Sequence, residues 1–329
     1  MTKKSLHKWS AFGQSVRGAS HLRNDLPNQD AIEFQTGTDG APPVVLAVSD
    51  GHGSPKSFRS SVGSQLAVKV AVEVTMEFLR GMKDSPLSAV KSAAERLLTA
   101  DIVKAWTQEI VEHFHRNPFS SEELDRLEQG AGAAARQAAL RAGQHLIAYG
   151  ATLLLAAVSD SYLFYLQLGD GDILAVSDKT HQVEQPLPQD ESLIANETTS
   201  LCMDGAQKLF RFRFQFVQEV PPALILASTD GYSNSFSTPD DFHKVGTGLL
   251  DMIQTKGMDY VDHGLTAWLD DASGNGSGDD VSLGIICRKD IAGSGREEND
   301  LSPEESRALQ VADHPPQSAP SPDQGDIRR

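Results

Sequence analysis

Three almost wholly apolar runs in this chain abut aspartates: VVLAVS (44–49) runs into Asp50-Gly51, ALILAS (223–228) leads through Thr229 into Asp230-Gly231, and VSLGIIC (281–287) follows Asp279-Asp280. Runs of this length and branching suit strands buried on both faces. Buried strands of one sheet deliver their ends to one edge of the core, so this pattern predicts carboxylates gathered at a sheet edge. Asp30, just ahead of AIEF (31–34), adds to them. Any single Asp-Gly pair, whether at Asp50, Asp170, Asp204 or Asp230, is by itself a turn signal. Several carboxylates at one edge repel one another unless cations neutralise them, and hard divalent ions take oxygen ligands.

The rest of the chain supplies layers for such strands. Residues 60–82 carry apolar side chains at 62, 66, 70, 74 and 78, the spacing of an amphipathic helix. Ser85-Pro86 starts another, with Val90, Ala94, Leu97, Trp106, Ile110 and Phe114 on one side, and Ser120 with Glu123 makes a capping box for a third. ATLLLAAV (151–158), YLFYLQLG (162–169) and DILAVS (172–177) follow at short spacing and predict antiparallel hairpins. In 209–217, Phe210, Phe212, Phe214 and Phe216 alternate with polar residues, a strand with one wet face. Helical stretches are predicted near 240–255 and 257–271. Strands and helices come in separate blocks, which argues for α+β with antiparallel sheets.

Charge narrows the function. Against 29 Lys and Arg stand 45 Asp and Glu, a formal charge of −16 that repels phosphodiester backbones and anionic lipid, so neither nucleic acid nor membrane is expected as a partner. No apolar run approaches the ~18 residues that would span a bilayer. Cys202 and Cys287 show neither zinc nor disulfide spacing, and a cytoplasmic location is the expectation. From Ile291 to Arg329 there are five prolines, eight acids and only five residues from Ile, Leu, Val and Phe. That composition predicts a disordered acidic tail; the remaining residues, 1–290, have the length of two average domains or one large one, and no Gly, Ser or Pro linker divides them.

His52, two residues beyond Asp50 in DGHG, is placed to give a proton to a leaving group, and Gly51 lets the backbone approach a ligand and offer its carbonyl. DGHGSPKS is not a phosphate-cradling P-loop, because Pro55 has no N–H to donate and Asp50 would repel the phosphate.

The segments 18–30 (GASHLRNDLPNQD), 45–54 (VLAVSDGHGS), 150–158 (GATLLLAAV), 168–174 (LGDGDIL), 227–234 (ASTDGYSN) and 278–286 (GDDVSLGII), in this order, resemble the motifs of the metal-dependent type 2C protein serine/threonine phosphatases, in particular their bacterial branch. The resemblance implies an αββα sandwich, two antiparallel sheets flanked by helix pairs, with two Mn²⁺ or Mg²⁺ ions at one end. It implies that Asp50 bridges the ions, that Gly51 gives its carbonyl, and that Asp230 and Asp279 complete one position. Gln29 occupies the place where many relatives have glutamate, so Asp30 is expected to serve the other position, with Gln29 and Asp280 supporting from behind.

The implied chemistry is in-line attack on a phosphate monoester by a water that the ions bring to a pKa of about 7, with His52 as the acid. The implied partner is a phosphorylated protein, opposing a serine/threonine kinase. A third, looser metal is not expected, because Ile147 and Asn234 stand where relatives have aspartates. The phosphate-binding arginine is displaced: Arg23 is the nearest guanidinium, with His21 as fallback and Arg17 behind it. Two other functions fit the same motifs, a binding module that keeps the fold without the chemistry and a hydrolase of small phosphate monoesters.

Overall fold

The structure, a computed structural model, describes residues 7–141, 143–187, 198–217 and 220–292 of the 329-residue chain. The described strands form two antiparallel five-stranded sheets. The first has the order β1 (Trp9–Val16), β10 (Val281–Arg288), β9 (Leu224–Ser228), β6 (Asp172–Val176), β7 (Val183–Glu184). The second has the order β2 (Ala31–Thr36), β3 (Val44–Ser49), β4 (Leu153–Val158), β5 (Tyr162–Leu168), β8 (Arg211–Phe216).

The unbroken apolar run of β3 has a simple cause. Side chains alternate along a strand, so Val44, Leu46 and Val48 enter the seam between the sheets with Trp9, Leu154, Tyr165, Ile225 and Ile286. Val45 and Ala47 face outward, under α2 (Ser60–Gly81) and α4 (Thr99–Arg116), where Ala67, Ala71, Ile102 and Trp106 cover them. On the other side α8 (Pro239–Lys256) and α9 (Met258–Ala272) bring Leu250, Ile253, Leu265 and Leu269 onto Leu226, Leu283 and Ile285. The result is the expected helix–sheet–sheet–helix stack. Shorter helices complete it: α1 (Ala19–Asn24), α3 (Leu87–Ala93), α5 (Ser121–Ala131), α6 (Ala133–Ala139) and α7 (Asp230–Ser233).

Several details differ from the sequence expectation. β4 and β5 form the predicted hairpin, but β5 and β6 lie in different sheets. The link Gly169–Gly171 is therefore a crossing between sheets. Gly169 holds φ +113, and a Cβ on Gly171 would stand 2.5 Å from the Ser228 carbonyl oxygen, so both glycines are needed for the passage. The aspartates likewise come from the ends of both sheets, not from one.

In α2 the most buried stripe includes Ser60, Ser64, Ala67, Ala71 and Thr75, while positions 62, 66, 74 and 78 flank it. Small polar residues sit where the helix approaches the sheet, and Ser64 Oγ donates to the Gln29 carbonyl at 2.5 Å. Leu97, expected on the buried side, is 60% exposed. A π-turn over Ala94–Leu98 inserts one residue into the phase between α3 and α4 and turns Leu97 outward. The wet-faced strand β8 is an edge strand with Phe212 and Phe214 half-buried and Phe216 exposed. Ile291 is buried in the α8–α9 layer, so the core extends past the predicted boundary; residues 293–329 of the expected tail lie outside the described residues.

Candidate metal centre

The site is built where β3, β9 and β10 meet at one end of the sandwich. Asp50 leaves β3 fixed at both backbone ends: its N–H donates to Thr152 Oγ1 at 2.9 Å, and its carbonyl accepts from the Thr152 N–H at 2.8 Å. The next residue donates from N–H to the Gln29 carbonyl at 3.1 Å, and a Cβ there would stand 2.6 Å from that oxygen, so only glycine fits position 51. The His52 N–H donates to the Gly150 carbonyl at 3.1 Å, and its ring lies over Gly150, where a Cβ would come within 2.7 Å of Cδ2.

Asp50, Asp170 and Asp230 each offer an oxygen within 4.8 Å of the others. Asp170 stands on the crossing between sheets, a turn held from below. Buried Gln167 donates from Nε2 to the carbonyls of Gly169 (3.2 Å) and Gly171, and Arg211 Nη2 donates to Gly169 O at 3.4 Å. Asp230 opens α7, and Asn234 Nδ2 donates to its Oδ2 at 3.1 Å. Asp279 stands beside this group, its charge acting on Asp30, Asp50 and Asp230.

Asp30 is buried, with Oδ2 accepting from Thr229 Oγ1 (2.7 Å) and Ser282 Oγ (3.0 Å). Asp280 ties the loop before β2 to the start of β10: its two oxygens accept from the Gly18 and Gln29 N–H groups, each at 2.6 Å. His21 Nδ1 lies 2.8 Å from Asp280 Oδ2, and its Nε2 is 3.8 Å from Asp279 Oδ1. Arg23 is exposed on α1, with Nη2 4.0 Å from the place a Cβ on Gly278 would take. Arg17 Nη2 donates to the His21 carbonyl at 3.2 Å and lies 3.5 Å from Asp25 Oδ1. Ile147 lies in the turn that precedes Gly150, its carbonyl accepting from Ser57 Oγ at 3.1 Å.

The electrostatics are those of a site short of positive charge. Burial raises the Asp50 carboxyl well above the usual range, and the charges of Asp30 and Asp230 push it further. Burial does the same to Asp30 against the pull of the Thr229 hydroxyl, and to Asp230 with added repulsion from Asp170. Burial lowers the His52 imidazole, opposed by the Asp170 charge.

These residues fit a divalent cation. Carboxylates supply acceptors only, and the Gln29 Oε1 is buried without a hydrogen-bond partner, a deficit of about 1–3 kcal/mol for an acceptor left so. Of the residues singled out in the sequence, the structure brings Asp50 and Asp230 into the tight group and sets Asp279 and His52 at its border. Asp170 joins that group without having been assigned to it. Its signal was present: glycines on both sides of an acid between two apolar runs.

The fold agrees with known structures. A bacterial serine phosphatase matches with a TM-score of 0.52 at 14% identity, over 87% of this chain and 99% of that one. The catalytic domain of the serine/threonine protein phosphatase PstP, in complex with two manganese ions, matches with 0.50 at 14% identity, over 86% and 99%. The serine/threonine phosphatase Stp1 from Staphylococcus aureus gives 0.50 at 13%, over 87% and 97%. No curated protein sequence matches. The family model for protein phosphatase 2C matches residues 17–270, and the chain belongs to that family.

Proposed function

We propose that this chain is a divalent-metal-dependent phosphatase that removes phosphate from serine and threonine in proteins. The carrying observation is the group Asp50, Asp170 and Asp230, acids from both sheets and their crossing, with His52 two residues from Asp50. Bound there, two ions of the Mn²⁺ or Mg²⁺ type supply charge for the phosphate oxygens and make a water acidic enough to attack near neutral pH. The manganese pair in the PstP structure supports that choice of ion.

The chain's own residues do the rest. Asp50, Gly51, Asp230 and Asp279 hold the ions, and Asp30 braces β2 against Thr229 and Ser282 beside them. His52, its backbone anchored to Gly150, protonates the leaving alkoxide; burial lowers its pKa, and the Asp170 charge partly opposes that. Arg23 is the phosphate anchor, since its planar fork suits phosphate and His21 is engaged between Asp279 and Asp280. The catalytic domain occupies 1–290 and takes in the buried Ile291 just beyond, the enzyme works in the cytoplasm, and it opposes a serine/threonine kinase.

The test is hydrolysis of phosphoserine, phosphothreonine and phosphotyrosine peptides and of a small aryl phosphate, each with Mn²⁺ and with EDTA. Turnover of the first two, lost in EDTA, supports the proposal. Mn²⁺ binding with no turnover on any substrate would make the chain a binding module. Turnover confined to the aryl phosphate would make it a small-ester hydrolase.

A further inference from the structure

A cavity of about 330 Å³ adjoins the metal centre. Asn234 is the wall between them: its Nδ2 donates to Asp230 Oδ2 at 3.1 Å, and the same side chain lines the cavity. Half-buried Asp172, the first residue of β6, is the one carboxylate in the lining among the described residues.

The direct partners of Asp172 are neutral. Gln185 Nε2 donates to its Oδ1 at 3.1 Å, and the Ser233 hydroxyl, 3.2 Å from the Asp230 carbonyl oxygen, bonds to it as well. Among the described residues, His243 and Arg211 are the bases whose field reaches Asp172, and neither forms an ion pair with it. Two aromatic rings supply another wall. Phe236 and buried Phe242 stand 5.8 Å apart between centroids, and Phe242 is held edge-on to Tyr232 at 6.0 Å. A carboxylate facing aromatic rings suits a cation, and a guanidinium above all, because it can grip the carboxylate with its fork and lie over a ring. The start of α8 at the rim does not turn the cavity toward anions: Thr238 caps the Asp241 N–H, and Asp240 and Asp241 fill the first turn.

Net charge gives an independent reason. At −16 the chain repels the phosphate group it has to bind. A substrate with a basic side chain close to the phosphate brings its own compensation.

We propose that this cavity is a substrate subsite for an arginine or lysine side chain near the phosphorylated residue, with Asp172 as the group that selects it. The substrate class is then phosphoserine or phosphothreonine in a basic stretch of protein. This rests on the phosphatase reading above and deepens it. A single side chain, Asn234, separates the cavity from Asp230, and an extended peptide advances about 3.3–3.6 Å per residue, so the basic residue stands about one to three positions from the phosphorylated one.

The experiment uses the full chain with saturating Mn²⁺ and phosphothreonine peptides of one sequence, with arginine, citrulline or alanine at each of the three positions on either side. Citrulline keeps the shape of arginine without its charge. At one or more positions arginine should raise kcat/KM about tenfold over citrulline and alanine, the worth of one hydrogen bond to a charged group. In Asp172→Asn, which keeps an acceptor for Gln185, that ratio should fall to within about twofold of unity, with Mn²⁺ affinity by calorimetry also within about twofold of wild type. Phe236→Leu should lower the same ratio about threefold, and together with the wild-type arginine–citrulline comparison it carries the test if the asparagine variant does not fold. Equal turnover of arginine and citrulline peptides by wild type, an arginine preference undiminished in Asp172→Asn, or a loss of Mn²⁺ affinity in that variant overturns the subsite and leaves the phosphatase reading in place. Absence of Mn²⁺-dependent turnover on every phosphopeptide overturns the phosphatase reading itself, and this proposal with it.

Discussion

Two buried polar groups lie at this end of the molecule, and they are balanced in opposite ways. Around Arg59 every charge has its partner. The guanidinium makes a two-pronged bond to Glu123 (2.7 and 2.8 Å), donates to Tyr149 Oη (2.7 Å) and to the Asn117 and Pro118 carbonyls, and lies over the Phe119 ring. Burial opposes both charges there, yet the bonds to Arg59 and to the Ser120 backbone leave Glu123 below its ordinary pKa. Around Asp50 burial and neighbouring acids act together, and the carboxyls rise. The first group closes on itself and staples α5 to the helix layer; the second is left open for charge from outside. Internal balance separates a structural network from a binding one more sharply than burial does.

The largest expected effect tests the open group. Asp50→Asn changes volume little and removes one charge, so metal-dependent turnover should fall by about a hundredfold or more, measured as kcat/KM on a phosphopeptide. In EDTA its melting temperature should equal or exceed that of wild type, because repulsion is relieved. A folded variant with near-normal turnover breaks the comparison.

The closed group predicts the reverse pattern. Arg59→Met leaves the half-buried Glu123 with the Ser120 N–H as its remaining partner, at a cost of about 1–3 kcal/mol and with a melting temperature lower by about 2–6 °C with or without Mn²⁺. Mn²⁺ affinity should not change. A fall in affinity equal to that in Asp50→Asn would mean the two groups are one.

Arg23, exposed and unlike Arg59 in every respect, should matter only to substrate. Arg23→Ala is expected to lower kcat/KM about tenfold, with unchanged melting and metal binding. Kinetics like wild type, together with a strong defect in His21→Ala, would move the phosphate anchor to the histidine.

The smallest effect is in pH. A carboxyl whose folded pKa is raised contributes stability that is full below its unfolded value and lost as pH rises through the folded one. Metal-free protein should therefore gain stability, by a few degrees, as pH falls from neutral toward the ordinary carboxylate range of about 4, as Asp30, Asp50 and Asp230 take up protons. Glu123 has the opposite sign: its contribution is full above its unfolded pKa and is lost as pH falls through its depressed folded one. Saturating Mn²⁺ should reverse the slope, since protons then compete with the ion. A metal-free melting curve flat over this range would remove the charge imbalance on which the contrast rests.

Much of this was legible in the sequence because apolar runs and turn pairs act locally. β3, β9 and β10 stand where the runs predicted, with Asp50, Asp230 and Asp279 at their ends. The Ser120–Glu123 capping box is present, with Glu123 N–H to Ser120 Oγ at 3.2 Å and Ser120 N–H to Glu123 Oε2 at 2.8 Å. What escaped was long-range. Nothing near Glu123 says that the same carboxylate also grips Arg59, 64 residues away. Asp170 read as a turn because a hairpin and a crossing between sheets use the same glycines, and only the pairing of β6 with β9 distinguishes them. Ser60, Ser64 and Thr75 were missed because small polar residues do not look like a core face until the helix is seen against its sheet.

The crossing has a mechanical consequence. Asp50 ends a strand of one sheet, Asp230 follows a strand of the other, and Asp170 rides the β5–β6 turn, one of the passages between them. An ion held by all three would tie both leaves of the sandwich and this connector at one point. Sliding of one leaf past the other must then break ion–oxygen bonds first, so hydrogen exchange at the near ends of β3 and β9 should slow together on loading, although the two strands share no backbone hydrogen bond.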